Sequence, residues 1–204
     1  MVTYTISRKL SPTQLKRRAS ILTATREIIS NEGSDDFNMQ AVAKKAGVSR
    51  ATLYRYYSTR NHLINDMALD WGLSLIERLQ CTTPPGNTIG EKLTAVFANI
   101  FKEAYQNPNL IAIILNSIIS PDYASVESHV DVEQLLPSLL NTVIDEREIH
   151  NAEFVLGTLS RLTLANLLYL NSGRSGMDEA IDNIAHNAKL LLGEIFWNRF
   201  ESNA

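Results

Sequence analysis

Between Asn38 and Tyr57 the chain reads NMQAVAKKAGVSRATLYRYY, and this stretch collects side chains suited to gripping a nucleic acid. Gln40 and Arg50 carry forked hydrogen-bonding groups that match the edges of bases. Ser49 and Thr52 offer hydroxyls, and Tyr54 and Tyr56 offer rings with hydroxyls. Ala51 and Arg55 share their outward face, and Arg60 follows shortly after. Tyr54 and Arg60 suit phosphate oxygens better than bases, because a cation or phenol there positions a duplex without reading it.

Such side chains need short elements to hold them. Asn38 is a good N-cap, so a first helix is predicted over about Met39 to Ala46, with Val42, Ala43 and Ala46 on one face. Gly47 follows at the position where a left-handed backbone is cheap only for glycine. Val48 turns inward and Ser49 caps a second helix, about Arg50 to Tyr57, whose inward residue is Leu53. Two turns bury too little to be stable alone, so the outward face makes sense if it meets another molecule. The competing reading is an ordinary helical hairpin with a glycine turn and core tyrosines. The basic flanks on either side favour DNA.

From about Leu15 to Trp71 the chain resembles the DNA-binding domain of the TetR/AcrR family of bacterial regulators. The resemblance rests on Ile28, Gly33, Phe37, Val42, Ala43, Ala46-Gly47-Val48-Ser49, Thr52-Leu53-Tyr54, Tyr56-Tyr57, Arg60 and Leu63-Ile64. It implies an all-α protein with an N-terminal three-helix helix-turn-helix domain and a larger C-terminal helical domain for ligand binding and dimerisation. It also implies a homodimer on a near-palindromic double-stranded operator, acting as a repressor released by a small-molecule effector. Lys16, Arg17 and Arg18 sit where the resemblance places phosphate-backbone contacts, the alternative being a solvated face. Arg60 stands where the family usually carries Lys, which keeps the charge.

The charge distribution agrees with a nucleic-acid-facing end. Residues 1–65 hold eleven Lys+Arg against four Asp+Glu, net +7, while residues 66–204 hold eight against eighteen, net −10, giving −3 for all 204 residues. A head of that sign is what phosphate neutralisation requires. No run of apolar residues is long enough to span a bilayer and the start lacks a signal-like segment, so the expectation is a cytoplasmic protein with no membrane partner. Cys81 is the single cysteine, and His62, His129, His150 and His186 have no metal-ligand spacing to it or to each other. No nucleophile elbow, phosphate-cradling loop or dinucleotide fingerprint appears. Neither enzyme, cofactor nor metal is expected.

The remaining chain sets out four regions: an arm over 1–12, the helix-turn-helix domain over 13–58, a connecting helix over 59–81, and a helical effector and dimerisation domain over 82–204. The first helix is predicted over about Thr13 to Glu32 with Leu15, Ala19, Leu22 and Ile29 near helical period, and Gly33 stops it. The connecting helix touches both regions, as a ligand-to-DNA signal needs. Thr88 with Glu91 forms a capping box, and Ser175 with Asp178 makes a second candidate. Leu110 to Ile119 is apolar all round and reads as buried in the second domain, which would leave Asn116 and Ser117 needing partners. Asp131 to Ile144 reads as a helix interrupted near Pro137. The last helix is predicted to run unbroken to about Phe200.

The resemblance implies a pocket in the second domain, for which Phe97, Phe101, Tyr105, Ile114, Asn116, Tyr123, Asn166 and Tyr169 are the candidate lining. The same residues at helical spacing also suit an ordinary core. The acidic half lacks a cationic cluster, which favours an apolar or cationic effector over a highly phosphorylated one. Leu159, Leu162, Asn166, Ala188, Leu191, Leu192 and Ile195 are the candidate dimer interface, two helices from each subunit. A DNA-bound adaptor dimer whose effector is another protein is the alternative function.

Overall fold

A computed structural model describes residues 10–32, 37–80, 84–118, 137–141 and 143–200. The predicted stop at Gly33, Cys81, the candidate pocket residue Tyr123, His129 and the start of the helix expected from Asp131 lie outside the described residues, as does most of the arm. The described residues are helical, with no strand and one isolated bridge between Thr88 and Phe200. They divide into two compact units: 1–72 with 107–132, and 73–106 with 133–204.

The first unit holds helices α1 (Pro12–Glu32), α2 (Met39–Lys45), α3 (Arg50–Tyr56), the start of α4 (Arg60–Gln80) and α6 (Pro108–Ile118). Helix α1 opens on a reciprocal cap: the Ser11 N–H donates to Gln14 Oε1 at 2.8 Å, and the Gln14 N–H donates to Ser11 Oγ at 3.3 Å. Pro12 takes the first helical position, where its missing N–H costs nothing. The inward stripe is Ile21, Leu22, Thr25, Ile28 and Ile29, so two predicted core positions differ: Leu15 and Ala19 are exposed. Both precede the turns of α1 that the rest of the unit covers. With Phe37, Val42, Ala43, Leu53, Tyr57, Leu63, Ile64 and Met67 the stripe forms one buried cluster.

Leu110, Ile113 and Ile114 of α6 belong to that same cluster. The all-round apolar segment therefore seals the helix-turn-helix unit and not the second one, packing against α1. Its three buried residues lie on one side, which turns Asn116 outward to solvent, where it needs no internal partner. Pro108 starts α6, a single residue separating it from the helix that ends at Gln106.

The second unit is built on α5 (Ile89–Gln106), α7 (Ala152–Asn171) and α8 (Met177–Leu192), which pack against one another. The capping box at the start of α5 forms as predicted: the Glu91 N–H donates to Thr88 Oγ1 at 3.2 Å, and Glu91 Oε2 accepts from the N–H groups of Asn87 and Thr88 at 2.6 and 3.4 Å. The second predicted box does not form. Gly176 caps α8 without a side-chain bond, and the Ser175 hydroxyl is buried with no partner among the described residues. Asp145 caps a single 3-10 turn over Glu146–Glu148.

The chain's last predicted helix is broken. Gly193 adopts φ 81° and ψ 152°, and a separate one-turn helix α9 (Glu194–Trp197) follows. Its Trp197 ring lies against Gly90, where an added Cβ would stand 2.3 Å from ring atoms. The Ile89 N–H donates to the Arg199 carbonyl at 3.0 Å and Arg199 pairs with Glu148 at 2.5 Å, so this strap is fastened to the start of α5.

Candidate nucleic-acid interface

The turn between α2 and α3 is determined locally. Asn38 Oδ1 accepts from the Ala41 N–H at 2.9 Å. Gly47 sits at φ 68°, which lets the Val48 N–H donate to the Ala43 carbonyl at 3.0 Å and the Gly47 N–H to the Lys44 carbonyl at 3.3 Å. That pair of bonds closes α2 and satisfies carbonyls a helix end otherwise leaves open. Ser49 Oγ then accepts from the Thr52 N–H at 3.1 Å and donates to Thr52 Oγ1 at 2.9 Å. Ser49 is thus engaged as a cap, although it remains exposed.

Helix α3 buries only Leu53. Gln40, Ser49, Arg50, Ala51, Tyr54, Arg55 and Arg60 are all exposed, with Thr52 and Tyr56 half-buried. The structure thereby brings all nine predicted residues to one stretch of surface chain. Arg50 and Arg55 have no protein partner among the described residues, so both guanidinium groups are available to phosphate or base. Arg60 differs, because its guanidinium lies 4.9 Å from the Phe37 ring centroid. The Tyr56 hydroxyl donates to the Gln14 carbonyl at 3.4 Å, which commits it to α1.

Sequence reasoning missed the polar centre behind this surface. Asp66 on α4 accepts from Arg18 Nε at 2.9 Å and from Arg18 Nη2 at 2.5 Å, and its Oδ2 accepts from the Tyr57 hydroxyl at 2.5 Å. Arg18 Nη1 lies 3.8 Å from Asp70 as well. The Arg18 and Asp66 side chains are each only 19% exposed. Arg18 is therefore an internal partner of α4, in contrast to the phosphate contact or solvated position considered for it. Burial opposes its charge, but the hydrogen bond and charge of Asp66 outweigh that and hold its pKa above the ordinary value. Burial and then the Asp66 carboxylate push the Tyr57 phenol upward, so it stays protonated and donates. Hydrogen bonds to a charged group contribute about 1.5–3 kcal/mol each, enough to matter in a small unit. The signal was present as an Arg and an Asp of opposite sign, but 48 residues separate them.

The candidate effector residues scatter. Phe97 and Phe101 are fully buried core of the second unit, Tyr105 is 68% exposed, and Tyr169 is half exposed. Asn166 Nδ2 donates to the Leu162 carbonyl at 2.8 Å and to Asn183 Oδ1 at 3.2 Å. Ile114 and Asn116 belong to the first unit. Of the candidate dimer residues, Leu159 and Ala188 are fully buried within the protomer, because they face the α5–α7–α8 packing. Leu162, Asn166, Leu191 and Leu192 keep part of their surface, and Ile195 is 92% exposed on α9. No group of three metal-ligating side chains occurs among the described residues, and no described helix is long and apolar enough to cross a membrane.

Residues 21–67 match the family described as bacterial regulatory proteins, tetR family. Along most of its length the chain is similar to the HTH-type transcriptional repressor KstR of Rhodococcus jostii, 28% identical over 189 residues that cover 90% of this chain and 86% of the relative. The fold is shared with a TetR transcriptional regulator from Rhodococcus sp. RHA1, at a TM-score of 0.80 and 22% identity over 88% of this chain and 97% of that one. It is also shared with Thermus thermophilus FadR, a TetR-family repressor solved with lauroyl-CoA, at a TM-score of 0.66 and 21% identity over 92% and 98%. With the capped α2–α3 turn and the exposed face of α3, residues 21–67 thus match the tetR family of bacterial regulatory proteins, and the chain as a whole is similar to repressors of that kind.

Proposed function

We propose that the protein is a homodimeric repressor that binds a near-palindromic operator and leaves it when the second unit takes a small-molecule effector. The observation that carries the reading is the outward face of α3. Arg50 and Arg55 have no protein partner among the described residues, on a helix whose one buried side chain is Leu53, in a head of net charge +7. Arg50 and Gln40 read base edges in the major groove; Tyr54 and Arg60 hold phosphates, and Thr52, Ala51 and Ser49 line the approach. A twofold dimer presents two such helices about 34–36 Å apart, one helical turn of DNA.

The second subunit docks on the partly exposed residues of α7 and α8, with Leu162, Asn166, Leu191 and Leu192 among them and the exposed Leu168, Tyr169 and Leu190 beside them. Leu159 and Ala188 support that surface from inside. The effector has an apolar body, in keeping with the buried Phe97 and Phe101 of the second unit. Acyl-CoA binding by the FadR relative makes an acyl chain a reasonable first probe. Ligand can release DNA only if it binds more tightly to a state whose recognition helices no longer match the groove spacing.

Selection of purified protein against a randomised duplex pool tests the reading. A dyad-symmetric sequence is expected to be enriched and bound two subunits at a time, with affinity falling steeply as salt rises. A protein that stays monomeric and holds heparin as well as any duplex would refute it. Titrating acyl thioesters and cationic apolar compounds against the bound duplex then identifies the effector class.

A further inference from the structure

We infer that Asp66 is a positioning residue for DNA discrimination: through Tyr57 it fixes the C-terminal end of the recognition helix, and through Arg18 it ties that end to α1. This rests on the DNA-binding reading above. Helix α3 has seven residues and one buried side chain, so its orientation cannot come from its own packing face. It is held at its ends instead. At the start, Ser49 caps it and the Gly47 turn ties it to α2. At the finish, Tyr57 is the C-cap, and its N–H donates to the Leu53 carbonyl at 2.9 Å. The Tyr57 ring is buried, lies edge-on to His62 with centroids 5.2 Å apart, and delivers its hydroxyl to Asp66 at 2.5 Å.

Asp66 would carry an ill-compensated charge in that partly enclosed place if it held Tyr57 alone. Arg18 supplies the compensation with two bonds from α1. One carboxylate therefore joins three elements, and its geometry sets where α3 ends relative to α1 and α4. A second consequence concerns charge. Arg18 is a cation of the basic head that neutralises Asp66 and no phosphate, so it adds nothing to the salt dependence of DNA binding. Base readout needs side chains held to within a fraction of an ångström, whereas phosphate attraction tolerates a loosened helix. Loss of the anchor accordingly lowers discrimination before it lowers general affinity.

The test uses the full-length protein, the best duplex from the randomised pool and a scrambled duplex of equal length. Tyr57→Phe keeps the ring and deletes only the hydroxyl. It is expected to raise Kd for the selected duplex roughly tenfold, the usual effect of losing one bond to a charged group, with Kd for the scrambled duplex unchanged. Amide exchange along Arg50–Tyr57 is expected to quicken while that of Met39–Lys45 stays the same. Arg18→Gln is expected to reduce the same selected-to-scrambled ratio and leave the salt slope unaltered.

An unchanged ratio and unchanged exchange in Tyr57→Phe would overturn the anchoring. A salt slope made shallower by about one per subunit in Arg18→Gln would overturn the assignment of Arg18 and return it to a phosphate. If the wild-type protein selects no duplex, the DNA-binding reading falls on that arm, while exchange in Tyr57→Phe still decides the anchoring.

Discussion

The two units hold their helices by opposite means. In the second unit, α5 buries nine residues along one face, among them Leu93, Val96, Phe97 and Phe101, and the helix is kept in place by that stripe. In the first, α3 buries Leu53 and is kept in place by what happens at its ends: Ser49 and Gly47 before it, Tyr57 after it. A helix held by its face has its outward side fixed by the same packing and can lose an end bond cheaply. A helix held by its ends can spend nearly its whole circumference on another molecule, and it depends on a few polar contacts for its aim. That contrast explains why an element of seven residues can present Arg50, Thr52, Tyr54 and Arg55 together.

The contrast can be broken most severely from the face-held side. Phe97→Ala should cost about 3–5 kcal/mol, since the ring is fully buried and leaves a cavity the helices cannot close. Urea unfolding will read this as a lowered midpoint, with the second unit's signal failing first. The end-held side is sharpened by Arg50→Ala, which removes an exposed side chain without a protein partner and should move stability by less than about 0.5 kcal/mol. Its loss of about 1–3 kcal/mol should appear instead in discrimination between operator and mismatched duplexes, measured by competition binding.

A smaller effect comes from alkali. Tyr57 has a folded pKa raised above the ordinary value of 10.0, so the unfolded chain gives up this proton first as pH climbs. Its contribution is complete below pH 10 and is lost above it, at up to about 1.4 kcal/mol per pH unit. Thermal melts above pH 10 should therefore steepen in their decline, and Tyr57→Phe should flatten that part of the curve. The smallest expected change is Gly47→Ala. A Cβ there meets nothing within 4 Å, so only the positive φ is penalised, at about 1 kcal/mol by chemical denaturation.

What could be read in advance follows the same division. The ends of α2 and α3 and the start of α5 were legible because caps are local: Asn38 with Ala41, Gly47 with Val48, and Thr88 with Glu91 each lie within four residues. The Arg18–Asp66–Tyr57 centre was not, because nothing in a helical charge pattern says which distant carboxylate an arginine will meet. The Leu110–Ile118 segment shows a third case. Apolar residues all round announce burial but not by what, and the covering partner proved to be the helix-turn-helix unit. Gly193 marks the break in the sequence, but three leucines before it and Ile195 after it sustain a helical period across a residue that breaks the backbone. For the dimer face, periodicity placed Leu159 and Ala188 on apolar stripes without distinguishing the side turned to α5 from the side left open.

Of the chain's two tryptophans, Trp71 packs on the hydrophobic cluster of the first unit and Trp197 rests on Gly90 in the second. Nature has thereby installed one intrinsic fluorophore per half. With either indole replaced by phenylalanine, the remaining emission becomes a private optical channel, and the melting of each half, or its answer to an added compound, can be followed without attaching a dye.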